Sequence, residues 1–549
     1  MGKLYLSFIW HNHQPYYKDP QTGKIILPWV RLHATKDYLD MLLLKSKYPK
    51  VKATFNMVPS LVRQLEEYCE GKTDTYLDLT VKPAESLNDG EKLFILRNFF
   101  KADFRRKISN FPRYVELYTK RYSQDINENL HLWTAQEIRD LQLLFNLAWI
   151  DPLYYEEYPQ LRSIRDKGQS FSHEDVLAVV DVQMRIIRRL ISDYREANAN
   201  GDVDLIFSPY YHPILPLIYD TRSAKRARED VLLPHLTLNA PEDVELQLRK
   251  GWDQHKEFFG RTPKGFWPSE QSVSSEVLDI ASDLGISWAV TDERVLAKTL
   301  GMEYFQRSGR DVPEQAALLY RPYKLSLPND KEMIMVFRDQ VLSDLIGFEY
   351  AKWSAVDAVN DFMSRLESIY AKVKHLDGDY LVTVALDGEN CWEYYENDGY
   401  DFLSKLYSVL SDTDWVRTET ISDFIEKHDN FGRLSNLRTG SWINANFDMW
   451  IGDPCKNKAW DYLIAVRMQV ELAFRKCGSN LSEELKEQVM EQLLIAEGSD
   501  WFWWYGKPNE SADKPVFDEL FRKNLKRVYE LMEEEVPQFL NEPIVDGRC

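Results

Sequence analysis

The sequence predicts an α/β protein: a parallel sheet with helical crossovers, interrupted by a helical insertion and followed by a helical bundle. Three observations predict it. Short apolar, β-branched runs recur between residues 4 and 418, most of them separated by helical periods, which is the order that builds parallel strands joined by crossovers. Several of these runs empty directly into polar or charged residues, as strands do at the carboxyl end of a parallel sheet, where α/β proteins place their sites. From Gly440 the strands stop, and helical periods run over about 457–476, 481–496 and 514–533.

At 549 residues the chain is too long for one core of ordinary size. The expected division is an α/β domain over 1–425, with a helical insertion over about 73–170, and a C-terminal helical domain over 426–549. Acidic residues outnumber basic ones 87 to 68, net −19, which argues against a phosphate-tracking surface and against nucleic acid as a partner. A neutral ligand fits better. Sixteen Trp and 30 Tyr suit a pocket for flat, hydroxylated molecules, although most such rings fill the core. The five cysteines are odd in number and scattered, with no CxxC pair, so neither a disulfide framework nor a thiolate zinc site is expected and a reducing compartment is the simpler assumption. The apolar run Leu4 to Trp10 stops at His11, too short for a signal peptide or a membrane span, so the expectation is a cytoplasmic protein with no membrane contact. No feature of the sequence fixes an oligomeric state.

The first strand, residues 4–9, opens into Trp10-His11-Asn12-His13-Gln14-Pro15. Two imidazoles one residue apart point the same way from an extended backbone. They can hold a metal, bond sugar hydroxyls or form a structural polar cluster; taken alone, the metal reading ranks first. A helix is expected over about 35–47, a second strand over 51–57, and a helix opened by Pro59, whose missing amide hydrogen costs nothing there. Residues 73–170 show helical periods only. An amphipathic helix over 173–198 leads to a strand at 203–207 that ends in Ser208-Pro209-Tyr210-Tyr211-His212-Pro213, a stiff loop suited to presenting His212.

A helix over 242–259 precedes the short strand Gly265-Phe266-Trp267-Pro268-Ser269-Glu270, which ends on a carboxylate. Further strands are expected at 286–291, about 317–326 and 332–337, with a helix over about 355–373. Tyr380 to Leu386 is a buried strand, and Asp387-Gly388-Glu389 follows at once, walled by Cys391-Trp392. An acid beside apolar walls and a second negative charge has its protonated form favoured, as a general acid near neutral pH requires. The alternative is a capping loop whose Asp bonds backbone amides. Two carboxyls at strand ends, Glu270 and Asp387, could together cleave a glycosidic bond. Past Gly440 lie two aromatic loops, Trp442 to Gly452 and Ala496 to Gly506.

Taken in order, five segments resemble glycoside hydrolase family 57, the retaining α-glucan enzymes that include α-amylases, amylopullulanases, branching enzymes and 4-α-glucanotransferases. They are His13-Gln14-Pro15, Ser208 to Pro216, Gly265 to Glu270, Leu386 to Asn390, and Asn446 to Trp450. The resemblance implies an incomplete (β/α)7 barrel followed by a helical bundle, an α-glucan or maltooligosaccharide substrate, and no cofactor or metal. It also implies Glu270 as nucleophile and Asp387 as general acid/base, with His11, His13, His212, Trp267, Glu389, Trp392, Asn446 and Trp450 around the sugar. Under it the two N-terminal imidazoles bond hydroxyls, displacing the metal reading. Asn12 departs from the Gln of close relatives, and Phe447 stands where glucanotransferases place an Asp. Leu386 to Asn390 and the Trp501 to Gly506 run look most like the amylopullulanase and α-amylase branch.

Overall fold

The computed structural model describes residues 3–477, 481–507, 509 and 511–544. Seven parallel strands form a nearly closed barrel: β1 (Leu4–Asn12), β2 (Ala53–Met57), β3 (Val203–Ile206), β4 (Gly265–Phe266), β5 (Trp288–Asp292), β6 (Glu332–Arg338) and β7 (Tyr380–Asp387). β1 lies between β7 and β2, and β2 continues to β3. β4 pairs with β5 and β5 with β6. Two seams are thin. β3 meets β4 through the single bridge Phe207–Phe266, and β6 meets β7 through one registered pair, Arg338 with Thr383.

Side chains alternate across each strand, so every second residue points into the barrel. Tyr5, Ile9, Ile206, Trp288, Val290, Val336, Leu381 and Ala385 fill it as a core separate from the one beneath the surrounding helices. Gly265 makes this packing possible, because a Cβ there would stand 2.2 Å from the Trp288 ring. The same alternation carries the inward face of β1 from Ile9 to His11 at the rim, where the register sets it beside Asp387 on β7 and Asn56 on β2.

The insertion is wholly helical from Thr75 to Lys167 and is wired into the core. Arg31, fully buried, donates from Nε to Asp74 at 2.7 Å and from NH1 to Asn146 at 2.7 Å and Gln183 at 2.8 Å. These three partners tie the segment before β2, the insertion and the long helix His173–Ala199 together. After β7 the chain adds Tyr400–Asp412, then strand Val416–Thr418 beside β1, then strand Gly432–Leu434 on Tyr323–Ser326 outside the barrel. The C-terminal helices Pro454–Cys477, Glu483–Ala496, Ser499–Trp504 and Lys514–Leu531 follow. They dock on the barrel where Ser499 N–H bonds the His212 carbonyl at 3.0 Å and Gln247 bonds the Leu494 carbonyl at 2.9 Å.

Four details differ from the sequence expectation. The helix expected to begin near 35 starts at Trp29, right after Pro28, and passes through a π turn, Ala34–Tyr38, that buries Lys36 against Asp37. The strand expected over 317–326 forms only at Tyr323–Ser326, because Ala316 and Leu319 bury one side of a helical turn at the i, i+3 spacing. β1, β6 and β7 each run further than expected, since pairing with neighbours carries the strands right up to Asn12, Arg338 and Asp387. Cys455 is disulfide-bonded while Cys69 and Cys391 are free thiols, because the fold and not the spacing decides which cysteines meet. Among the described residues no helix is long and apolar enough to cross a membrane.

Candidate active site

A cavity of about 1460 Å³ opens at the carboxyl end of the barrel. Its floor is the barrel rim, with His11, His13, Glu270, Asp387 and Glu389 exposed to the same space. The insertion supplies one wall through Trp149, and the helix Ser499–Trp504 supplies another through Asp500, Trp503 and Trp504. Glu270 and Asp387, 117 positions apart by number, therefore face one chamber.

Glu270 sits just past β4 with φ 55, a left-handed backbone that costs a non-glycine residue of the order of 1 kcal/mol or more. Gln271 shares it, at φ 50. The turn is held by Gln271 N–H to the Pro268 carbonyl at 2.7 Å and by Trp442, whose backbone N–H bonds the Glu270 carbonyl at 3.1 Å. The Trp442 indole N–H also donates to Glu270 Oε2 at 2.8 Å. On β7, Asp387 accepts from Asn390 Nδ2 at 2.8 Å. Gly388 then donates its N–H to the His11 carbonyl at 2.7 Å, and a Cβ there would come within 2.1 Å of Asn12 Oδ1. Only glycine lets the acid-bearing turn lie this close to β1.

Burial, the Asp387 charge and the Asp500 charge push Glu270 up to about 8, with the Trp442 hydrogen bond opposing. Asp387 is raised too, chiefly by burial, against Asn390, His13 and Arg338. Both shifts have one sign, so across the neutral range the pair holds on to a proton that two exposed acids would release. Glu389 is held well above the usual carboxylate range by burial and Asp387, and it accepts from the His13 backbone N–H at 3.1 Å.

The three imidazoles form one stack. His11 lies against Trp267 with ring centres 4.5 Å apart and 8° between planes, and His13 lies on His212 at 4.0 Å and 24°. Burial and the neighbouring imidazoles hold His11 and His212 well below their usual pKa, so both are neutral at pH 7. Asn56 Nδ2 donates to His11 Nδ1 at 2.6 Å and to Ser208 Oγ at 2.8 Å, which assigns the His11 proton to Nε2. His13 Nε2 lies 2.9 Å from Asp500 Oδ1. His13, His212 and Asp500 have ligand atoms within 4.8 Å of one another, near enough for an ion. In this structure His13 Nε2 pairs directly with Asp500, and the His13 and His212 rings stack with 24° between their planes.

A profile of glycosyl hydrolase family 57 matches residues 7–435. The chain belongs to this family. Among solved structures, the family 57 fold here is similar to a branching enzyme of Thermococcus kodakaraensis, at 15% identity over 98% of this chain and 93% of that one, with a TM-score of 0.63. It is also similar to the α-amylase AmyC of Thermotoga maritima, at 14% identity over 97% and 93%, TM-score 0.59. A 4-α-glucanotransferase of Thermococcus litoralis matches at 13% identity over 98% of this chain and 61% of its own, TM-score 0.52. No curated protein matches by sequence.

In this family 57 chain the site residues expected from the sequence divide into three groups. His11, His13, Glu270, Asp387 and Glu389 line the cavity. Trp267, His212 and Trp392 stand behind it, fully buried: Trp267 backs the imidazole stack, His212 is part of that stack, and Trp392 donates to the Gly388 carbonyl at 2.8 Å, bracing the Asp387 turn. Asn446 and Trp450 do not line it. Asn446 accepts from Asp448 N–H inside its own loop, and Trp450 packs near Trp503 while its carbonyl accepts from Trp460. From that loop it is Trp442, Ile443 and Asn444 that reach the cavity. Sequence reasoning missed Trp442, Asp500 and Arg338 as site residues. The available signals were that the first two fall in aromatic loops already singled out and that Arg338 directly follows the strand expected over 332–337.

Proposed function

We propose that this chain cleaves α-glucosidic bonds of starch- or glycogen-type glucans by double displacement with retention, as a hydrolase of the amylopullulanase and α-amylase kind. The observation that carries the reading is the convergence of Glu270 and Asp387 on one cavity, close enough for the charge of Asp387 to raise Glu270. In the first half, a Glu270 oxygen bonds the anomeric carbon as its bond to the leaving oxygen breaks, and the Asp387 proton passes to that oxygen. In the second half, water gives its proton to Asp387 and its oxygen to the anomeric carbon, and the electron pair of the ester bond returns to Glu270.

The chemistry needs the proton on Asp387 and the charge on Glu270. Glu270 is the harder of the two to ionise, since only Trp442 favours its charge. Positive charge developing at the anomeric carbon then selects the Glu270 carboxylate. Neutral His11 offers an Nε2–H to a sugar hydroxyl, and neutral groups suit a neutral substrate. Trp29, Trp149, Trp503 and Trp504 offer faces on which glucose rings stack.

Those aromatic walls also favour a second reading, transfer to an acceptor glucan, because rings that hold an acceptor also exclude water. Incubation with a single maltooligosaccharide tests both. Hydrolysis yields only shorter chains, whereas transfer yields longer ones as well. Proton NMR during hydrolysis shows the α anomer first if the configuration is retained; a first-formed β anomer excludes double displacement. Glu270→Gln abolishes turnover under this reading, and substantial residual activity overturns it.

A further inference from the structure

We propose that Arg338 is a positioning residue that sets how charge is divided between the two site carboxyls. The proposal rests on the assignment of Glu270 as nucleophile and Asp387 as acid/base. Arg338 ends β6 and is 5% exposed, yet its side chain reaches the cavity. It sits where the barrel is least well stitched. β6 and β7 share a single registered pair, Arg338 with Thr383, and the guanidinium spans this seam by donating from NH1 to the Ala385 carbonyl at 3.3 Å. Ala385 lies two residues before Asp387 on the same strand and the same face.

The guanidinium also lies over the Trp442 ring, 5.0 Å from its centre, and that ring donates its N–H to Glu270. One cation is thus joined to both acids: through the backbone of β7 to Asp387, and through the face of an indole to Glu270. A cation on an indole face holds the ring in place and draws electron density from it, which makes the N–H a better donor to a carboxylate. The field of Arg338 also favours the charged form of Asp387 directly. That is the form needed in the second half, when Glu270 is esterified and neutral and Asp387 must act as a base.

The rival is a purely structural role. Arg338 neutralises Asp292, donating from Nε at 2.8 Å, and lies 3.5 Å from Asp344, so its loss leaves a buried carboxylate unpaired. The charged and titratable groups that face this system are Glu270, Glu389 and His13 around Asp387, Asp387 and Asp500 around Glu270, and Asp292, Glu293 and Asp344 around Arg338. A structural role lowers activity equally at every pH. A charge-dividing role moves the profile.

Glu270 is the harder of the two to ionise, so the reactive form, with its proton on Asp387, is the minor arrangement of the singly protonated pair; the lower pKa, that of Asp387, sets the acidic limb and the higher, that of Glu270, sets the alkaline limb. Removing a neighbouring cation raises the Asp387 pKa, and weakening the Trp442 donor raises that of Glu270. Arg338→Met paired with Asp292→Asn, which removes the stranded carboxylate, therefore moves both limbs of the kcat/KM profile upward, by roughly one pH unit. Trp442→Phe removes the N–H donor and moves the alkaline limb alone. Arg338→Lys keeps the charge and leaves the acidic limb in place.

A folded double variant whose limbs stand where the parent's do overturns the proposal. If that variant does not fold, Trp442→Phe and Arg338→Lys decide: an unmoved alkaline limb in the first, or a shifted acidic limb in the second, overturns it equally. Glu270→Gln and Asp387→Asn are measured alongside. Turnover retained in either one refutes the carboxyl assignment itself, whatever the Arg338 variants do.

Discussion

His13 and Asp500 stand 487 positions apart in the chain, and in the folded protein His13 Nε2 lies 2.9 Å from one carboxylate oxygen of Asp500 and 3.1 Å from the other. The contact joins the barrel to the helix Ser499–Trp504, so the C-terminal helices complete the cavity floor as well as its wall. The backbone N–H of the same His13 is held by Glu389. One imidazole is thus fixed by both the turn that follows Asp387 and the bundle.

Asp500→Asn should lower kcat/KM by about 10- to 100-fold, the range expected when a charge-assisted hydrogen bond worth about 1.5–3 kcal/mol is weakened. It should also shift the alkaline limb. The Asp500 charge raises Glu270, so its removal lets Glu270 ionise more readily and moves that limb to lower pH, the reverse of the Trp442→Phe shift. The pH profile of kcat/KM on a maltooligosaccharide checks both.

Asp387→Asn should separate the two halves of the reaction. From a glycosyl fluoride the fluoride ion departs without needing a proton as the glycosyl carbon bonds to Glu270, so the first half proceeds and the second stalls for want of a base. Mass spectrometry of the denatured protein should then show one added glycosyl group on the peptide containing Glu270. The same experiment on Glu270→Gln should show none.

Gly388→Ala should cost activity far more than stability. The added methyl would meet Asn12 Oδ1 at 2.1 Å, and relief comes most readily by displacing the turn that carries Asp387. We expect kcat to fall by at least about 100-fold, as a misplacement of about 1 Å does, while the thermal midpoint drops only a few degrees. Steady-state kinetics and a melting curve on one preparation check this.

Arg31→Met should be severely destabilising, by about 3–5 kcal/mol, since it strands the buried Asp74 carboxylate and leaves Asn146 and Gln183 without a donor. Urea unfolding should show the loss. Because these partners lie in the insertion and the helix behind it, the melting curve should fall as a whole and not split off a separate insertion transition.

Much of the fold could be read locally. The β-branched run Tyr380 to Leu386 and the apolar run from Leu4 carry their strand character in their own residues, and Pro59 marks its helix start by the proton it lacks. Ala316–Leu319 misled because a short apolar run reads the same way for a buried strand and a helical turn, and only the surface it packs on decides. Two of the expected subsite residues, Asn446 and Trp450, sit in a loop that does approach the cavity, but the turn of the loop presents Trp442 instead. Side-chain direction in an irregular loop depends on what the loop lies against, and that information is absent from its sequence.

The sequence by itself determined which polar residues follow each apolar run, and so which chemistry was available: two imidazoles past the apolar start of β1, a carboxyl after β4 and a carboxyl closing β7. Strand periodicity is local, and a strand's last residues lie at the rim of any barrel it joins. Tertiary structure alone decided which of these groups meet and what charge each carries. The His13–Asp500 contact, the Trp442 hydrogen bond to Glu270 and the Arg338 span across the β6–β7 seam each join residues far apart in the chain. Desolvation and the fields of neighbouring charges, which set the protonation of Glu270 and Asp387, exist only once the chain has closed around them.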